Sequence, residues 1–140
     1  MANAVYTAEA TSTGGGRDGR VRTSDGVLDV ELKLPPALGG PGGATNPEQL
    51  FAAAYASCFH GALRLVARNK GVRISDDATV DAAIDLSKDA TSFAIGATLT
   101  VHLPGLEQSQ ADELVAAAHE VCPYSKATRG NVDVELKATV

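Results

Sequence analysis

Thr45-Asn46-Pro47-Glu48-Gln49-Leu50-Phe51-Ala52-Ala53-Ala54-Tyr55-Ala56-Ser57-Cys58-Phe59 decides how this chain is read. Asn46 is a good N-cap, because its side-chain oxygen accepts an unpaired N–H of a first helical turn. Pro47 follows at the first helical position, where its missing N–H costs nothing. Gln49, three residues after Asn46, suits a capping box. The Ala-rich run behind this start stays helical to about Lys70, where Gly71 can supply a left-handed stop. A helix over roughly 47–70 is therefore expected, buried as a spine, with Cys58 as its reactive atom.

The totals narrow the setting of that helix. A chain of 140 residues is expected to form a single domain, 1–140, with a small but real core. Aromatics make up 4% of it and Trp is absent, so the core leans on Ala, Val and Leu. A net charge of -5 counts against nucleic acid as a partner, since phosphate binding needs a positive face. It also counts against an anionic membrane surface, and no apolar run reads as long enough to span a bilayer. The N-terminal Met1-Ala2-Asn3-Ala4-Val5-Tyr6 has no positive region and no long apolar core, so no signal peptide is read there. A cytoplasmic location is the expectation. In a reducing cytosol a static disulfide between the two cysteines, Cys58 and Cys122, is disfavoured. Inert buried thiols, a redox pair and part of a metal site remain open.

Outward from the spine the chain reads in order. Residues 4–12, 20–23 and 27–34 read as three antiparallel strands, joined by turns at 13–19 and 24–26. Residues 35–45, rich in Pro and Gly, read as irregular and are long for a mere connection. After the spine, 74–88 and 93–103 alternate apolar and polar residues and read as a hairpin around Asp89-Ala90-Thr91-Ser92. Ser109 reads as the cap of a second helix, from Gln110 to about Val121. Pro123 stops that helix and leaves Cys122 at its C-terminal edge. Residues 131–140 alternate again as a last strand. The order βββ-α-ββ-α-β is an α+β fold with antiparallel sheet.

One chemistry that two such cysteines can carry is that of a thiol peroxidase. That needs a thiolate nucleophile, a cation to stabilise it, and a second thiol that condenses with the sulfenic acid before over-oxidation. Cys58, Arg17 and Cys122 can fill these roles. Five stretches sharpen this: Gly15-Gly16-Arg17-Asp18-Gly19-Arg20, Ser24-Asp25-Gly26-Val27-Leu28-Asp29-Val30, Thr45-Asn46-Pro47-Glu48-Gln49-Leu50-Phe51, Tyr55-Ala56-Ser57-Cys58-Phe59 and Cys122-Pro123-Tyr124-Ser125. In this order and spacing they resemble the organic hydroperoxide resistance proteins of the OsmC-like superfamily, across essentially the whole chain. The resemblance implies an intertwined homodimer, with antiparallel sheets wrapped round central helices. It implies an enzyme of oxidative-stress defence that reduces alkyl or fatty-acid hydroperoxides to alcohols. It implies a peroxidatic Cys58, a resolving Cys122, and Arg17 and Glu48 as polar partners of thiolate and peroxide. It further implies no bound cofactor, and recycling of a Cys58–Cys122 disulfide by dihydrolipoyl groups on lipoylated proteins.

Spacing adds a constraint. Glu48 and Cys58 are ten residues apart, about 15 Å of rise and roughly 80° of rotation on one helix. Glu48 is therefore expected to reach Cys58 of a partner subunit, or else the helix breaks near Ala54. Arg17 stays charged, lowers the pKa of a nearby thiol, and can form a fork with Glu48. Apolar peroxide tails call for an apolar wall, with Leu38, Phe51, Phe59 and Tyr124 as candidates. Cys58, Cys122, His60, His102 and His119 match no standard zinc spacing, so no metal is expected. The glycines before Arg17 lack the rest of a phosphate loop. The reading from another class is a non-catalytic dimer that binds small apolar ligands and keeps both thiols buried.

Overall fold

The computed structural model describes residues 2–140; Met1, the first residue of the N-terminal run read above, lies outside them. The chain divides into two compact units, residues 1–50 and 51–140.

In the first unit, β1 (Ala10–Gly14), β2 (Gly19–Thr23) and β3 (Asp29–Leu32) form an antiparallel sheet in that order. The meander is as expected, with β1 displaced toward its turn, β2 one residue longer and β3 trimmed. Residues 4–9 stay outside β1, and β3 spans only four residues because the turn before it extends to Leu28, whose N–H is held by the Thr23 hydroxyl at 3.0 Å. The β1–β2 turn closes with the Gly15 N–H on the Asp18 carbonyl, 3.0 Å. Gly19 is required there, since a Cβ would lie 2.1 Å from the Thr13 carbonyl oxygen. Residues 35–45 are not wholly irregular. A 3₁₀ turn, Pro36–Leu38, lies within them, and Lys33 and Thr45 pair by a 3.0 Å backbone hydrogen bond. Pro at the first position of that turn is compatible with helical φ, which explains regular structure in a Pro-rich run.

α1 (Pro47–Asn69) runs unbroken for 23 residues. Asn46 Oδ1 accepts the Gln49 N–H at 2.9 Å, the expected cap. The Gln49 side chain takes the Thr45 hydroxyl at 2.9 Å instead of completing a capping box. Gly71 has φ of 70° and stops the helix as expected. One expectation is corrected: by length and apolarity α1 is long enough to cross a membrane, because its alanines raise the hydropathy without forming a conspicuous apolar block. Its Tyr55, Phe59, Ala62, Leu63, Val66 and Ala67 are buried, the pattern of a core helix.

In the second unit, β4 (Thr79–Lys88) and β5 (Phe93–His102) form the expected hairpin, Lys88 opposite Phe93. Asp89 Oδ1 closes its turn by accepting the Thr91 and Ser92 N–H groups at 2.8 and 2.6 Å, a side-chain mimic of a backbone turn. α2 (Gln108–Val121) begins one residue before Ser109, with Glu107 as its N-cap, so the Ser109 cap is corrected. Cys122 then adopts extended φ and ψ, and a short helix α3 (Pro123–Thr128) starts at Pro123. The proline ends one helix and, at the first position of the next, begins another. β6 (Val134–Thr139) pairs with β5 in parallel, so this sheet is mixed and not purely antiparallel. A parallel partner needs a long crossover, and α2 with α3 supplies it. Cross-strand neighbours Ala82, Leu99 and Leu136 share one sheet face with Ile84, Ala97 and Val134. That face packs with α1 and α2 in a core centred on Phe59, Leu63, Leu99, Val101, Leu114 and Ala118.

Candidate active site

Two groups of expected site residues are assembled, one within each unit. In the first, the glycine-rich β1–β2 turn presents Arg17, and the first turn of α1 presents Glu48. Arg17 Nη1 donates to Glu48 Oε2 at 2.9 Å and Nη2 to Oε1 at 2.6 Å. This two-pronged pairing is the expected fork, and it is stronger and more directional than a single contact. The guanidinium hydrogen bonds hold the Glu48 carboxyl below its ordinary value, against a smaller opposing effect of burial. Glu48 also lies at the positive end of the α1 dipole, a favourable place for an anion. Lys33 Nζ anchors the other side of the turn by donating to Asp18 at 2.8 Å. Arg17 is thus paired rather than free in solvent. Leu38, a candidate for the apolar wall, sits on the 3₁₀ turn of this unit, 42% exposed.

In the second unit the two cysteines meet. Both are free thiols, Cys58 half-buried and Cys122 buried. The Cys122 S–H is directed at Cys58 Sγ across 3.7 Å. α1 brings Cys58 to this point one turn after Tyr55. The break between α2 and α3 brings Cys122, whose own N–H still caps the Ala118 carbonyl at 2.8 Å. Burial pushes the Cys58 thiol up from its ordinary 9.0; the neighbouring Cys122 thiol pushes the same way, and a hydrogen bond from the Tyr124 backbone N–H pulls it down. The expected depressed thiolate is therefore not what this unit produces. Neither of the groups that act on Cys58 here, Cys122 and the Tyr124 amide, is a cation.

Three aromatic rings of this unit pack against one another. Phe51 and Tyr55 meet edge to face at 6.0 Å, Tyr55 and Tyr124 likewise at 6.0 Å, and Phe51 and Tyr124 at 6.3 Å. Phe51 and Tyr124 keep exposed surface and can line an apolar wall. Phe59 is wholly buried and has no surface to offer a ligand in this chain. α1 is unbroken between Glu48 and Cys58, which removes the kinked-helix alternative.

The sequence reading passed over three hydroxyls. Tyr55 Oη lies 2.8 Å from Ser125 Oγ and 3.2 Å from Thr128 Oγ1, all three buried. The signal was present in the spacing: Tyr55 stands three residues before Cys58, and Ser125 three after Cys122. That spacing has meaning only because Pro123 opens a helix. The histidines lie apart from one another in the chain's chemistry. His60 accepts from Arg64 at 3.3 Å, and His102 pairs with Thr139 at 2.9 Å. His119 Nδ1 is buried without a hydrogen-bond partner among the described residues. Among the described residues no three of His, Cys, Asp or Glu cluster as metal ligands would.

A family profile described as OsmC-like protein matches residues 40–137. The organic hydroperoxide resistance protein OhrB of Bacillus subtilis is 49% identical over 136 residues, covering 96% of this chain and 98% of its own. The organic hydroperoxide resistance protein of Xanthomonas axonopodis pv. citri is 47% identical, covering 94% of this chain and 93% of its own. The crystal structure of an organic hydroperoxide resistance protein from Legionella pneumophila superposes with a TM-score of 0.93 at 49% identity, over 99% of this chain and 100% of that one.

Proposed function

This chain belongs to the OsmC-like family, among its organic hydroperoxide resistance proteins, and on that footing we propose that it is a thiol-dependent peroxidase of oxidative-stress defence. The substrate class is organic hydroperoxides. The observation that carries the reading is the pair of free sulfurs, 64 residues apart in sequence and 3.7 Å apart in space. Cys58 keeps exposure, as a nucleophile must, and Cys122 is buried behind it.

The reaction balances with these groups alone and a peroxide. The Cys58 thiolate attacks an oxygen of ROOH, the O–O bond breaks, and with one proton taken up the products are Cys58 sulfenic acid and ROH. The sulfur has lost two electrons and the peroxide has gained them. The Cys122 thiol then attacks the sulfenic sulfur, releases water and leaves a Cys58–Cys122 disulfide. A dihydrolipoyl group carried by a lipoylated protein returns two electrons and two protons by thiol–disulfide exchange, itself becoming the cyclic disulfide. No bound cofactor is invoked.

Arg17 and Glu48 take the electrostatic role. A guanidinium near Cys58 offsets the burial that holds its thiol up, and the fork with Glu48 fixes the direction in which the arginine points. Ten residues on an unbroken helix keep Glu48 about 15 Å along α1 from Cys58, so the pair is assigned to Cys58 of a partner subunit in a homodimer. Phe51 and Tyr124 supply the apolar wall for the peroxide tail on the side of the cysteines, and Leu38 is the candidate on the side of Arg17 and Glu48. A cycle that ends on dithiols suits the cytoplasm. The test is to treat reduced protein with one equivalent of an alkyl hydroperoxide and map its disulfides by mass spectrometry. A Cys58–Cys122 bond within one chain is expected; persistence of both thiols while the peroxide remains intact contradicts the proposal.

A further inference from the structure

We propose that Tyr55 is a positioning residue for the Cys58–Cys122 pair: its buried phenol ties the helix that carries Cys58 to the short helix that follows Cys122. The inference rests on the reading of these cysteines as a redox pair.

The three hydroxyls are hard to explain as packing. Tyr55 and Ser125 are 0% exposed and Thr128 is 4%. A phenylalanine, an alanine and a valine would fill the same space without burying polar atoms, which are costly unless paired. Here each is paired with another of the three, at 2.8 and 3.2 Å, and Thr128 also donates to the Ser125 carbonyl at 3.1 Å. A fully satisfied buried network confers geometry, since it tolerates only one arrangement.

That geometry lies where the sulfurs need it. Tyr55 precedes Cys58 by three residues on α1, so the two stand on neighbouring positions of one helix side. Ser125 follows Cys122 by three residues. The Tyr55–Ser125 bond therefore bridges the same two segments as the sulfurs, one turn from each. A second link between α3 and α1 is the Tyr124 N–H at the Cys58 sulfur, but that sulfur changes partner when it is oxidised. The phenol link does not touch the reacting atom and persists through the cycle. It allows the sulfurs to close from 3.7 Å to the roughly 2 Å of a disulfide, and it opposes a wider swing of α3 that would leave the sulfenic acid waiting.

Tyr55→Phe removes the hydroxyl and keeps the ring among Phe51 and Tyr124. Full-length wild type and variant are equilibrated in dithiol–disulfide redox buffers, and the Cys58–Cys122 bond is quantified by mass spectrometry. The variant's disulfide is expected to be about tenfold easier to reduce, or about 30 mV less negative in potential for two electrons. Under excess alkyl hydroperoxide its sulfinic acid at Cys58 is expected to rise several-fold. Melting temperature is measured alongside, because a purely structural loss weakens both redox states alike and leaves the potential unmoved. Ser125→Ala, which leaves the Thr128 link, serves if Tyr55→Phe does not fold, with a smaller shift in the same direction. Unchanged potential and unchanged sulfinic fraction in a folded variant overturn the role of Tyr55. A wild type that forms no disulfide in oxidising buffer overturns the redox-pair reading, and this inference with it.

Discussion

Oxidising the cysteine pair is predicted to raise the protein's melting temperature by about 15 °C. The perturbation is the closing of one bond between Cys58 and Cys122. The bond would close a loop of 64 residues. Chain-entropy arithmetic for that loop gives roughly 4 kcal/mol of stabilisation, by restricting the unfolded state. The native side opposes it little, because the sulfurs already lie 3.7 Å apart and need to approach by only about 1.7 Å to reach disulfide length. An unfolding entropy of about 2.1 cal/mol/K per residue over 140 residues converts that gain into the stated shift. Residual structure in the unfolded chain reduces it, so 15 °C is an upper figure. The assay is thermal unfolding by circular dichroism at fixed protein concentration, with the protein reduced, oxidised by one equivalent of alkyl hydroperoxide, and re-reduced by dihydrolipoamide. Cys122→Ser is the control and is expected not to respond. Equal or lower stability of the oxidised wild type would refute the reasoning, as would a similar rise in Cys122→Ser.

Other consequences bear on separate parts of the structure. Arg17→Lys keeps the charge but loses the two-pronged bond to Glu48; for a partly exposed pair that loss is about 1 kcal/mol or less and implies a fall in kcat/KM for the peroxide of up to about fivefold, read by steady-state kinetics. Phe59→Ala empties a wholly buried site and is expected to cost about 3–5 kcal/mol, measured by urea unfolding of the reduced protein. The folded pKa of Glu48 lies below its ordinary 4.5, so its pairing with Arg17 contributes fully above pH 4.5 and is lost as pH falls through the lower folded value. With Arg17 partly exposed the contribution is about 1 kcal/mol or less, and Glu48→Gln should flatten that acid limb of the stability profile.

The elements that residues announce locally were legible in the sequence. The start of α1 follows from Asn46 and Pro47, its stop from Gly71, and the β4–β5 hairpin from alternation on both sides of Asp89. The elements that depend on distant pairing were not. Nothing near Val134 tells a strand whether its partner runs parallel, and β6 took a parallel place because α2 and α3 carried the chain across. Pro123 reads as a terminator and so hides α3, although the same ring is compatible with a helix start. The site divided in the same way. Arg17, Glu48, Cys58 and Cys122 stand out by residue type, and the structure pairs them two by two. The Tyr55–Ser125–Thr128 network uses common residues, and only tertiary contact gives them meaning. The direction of the Cys58 shift was also beyond the sequence, since it comes from burial and from the adjacent thiol.

The central claim is that Cys58 is the nucleophile that reduces organic hydroperoxides, with Cys122 resolving it. The most direct test follows the loss of an alkyl hydroperoxide in the presence of dihydrolipoamide, for wild type, Cys58→Ser and Cys122→Ser. Turnover by the wild type is predicted, with none by Cys58→Ser. Cys122→Ser should consume peroxide at first, then stop as Cys58 over-oxidises. Wild-type turnover that persists undiminished in Cys58→Ser would contradict the account.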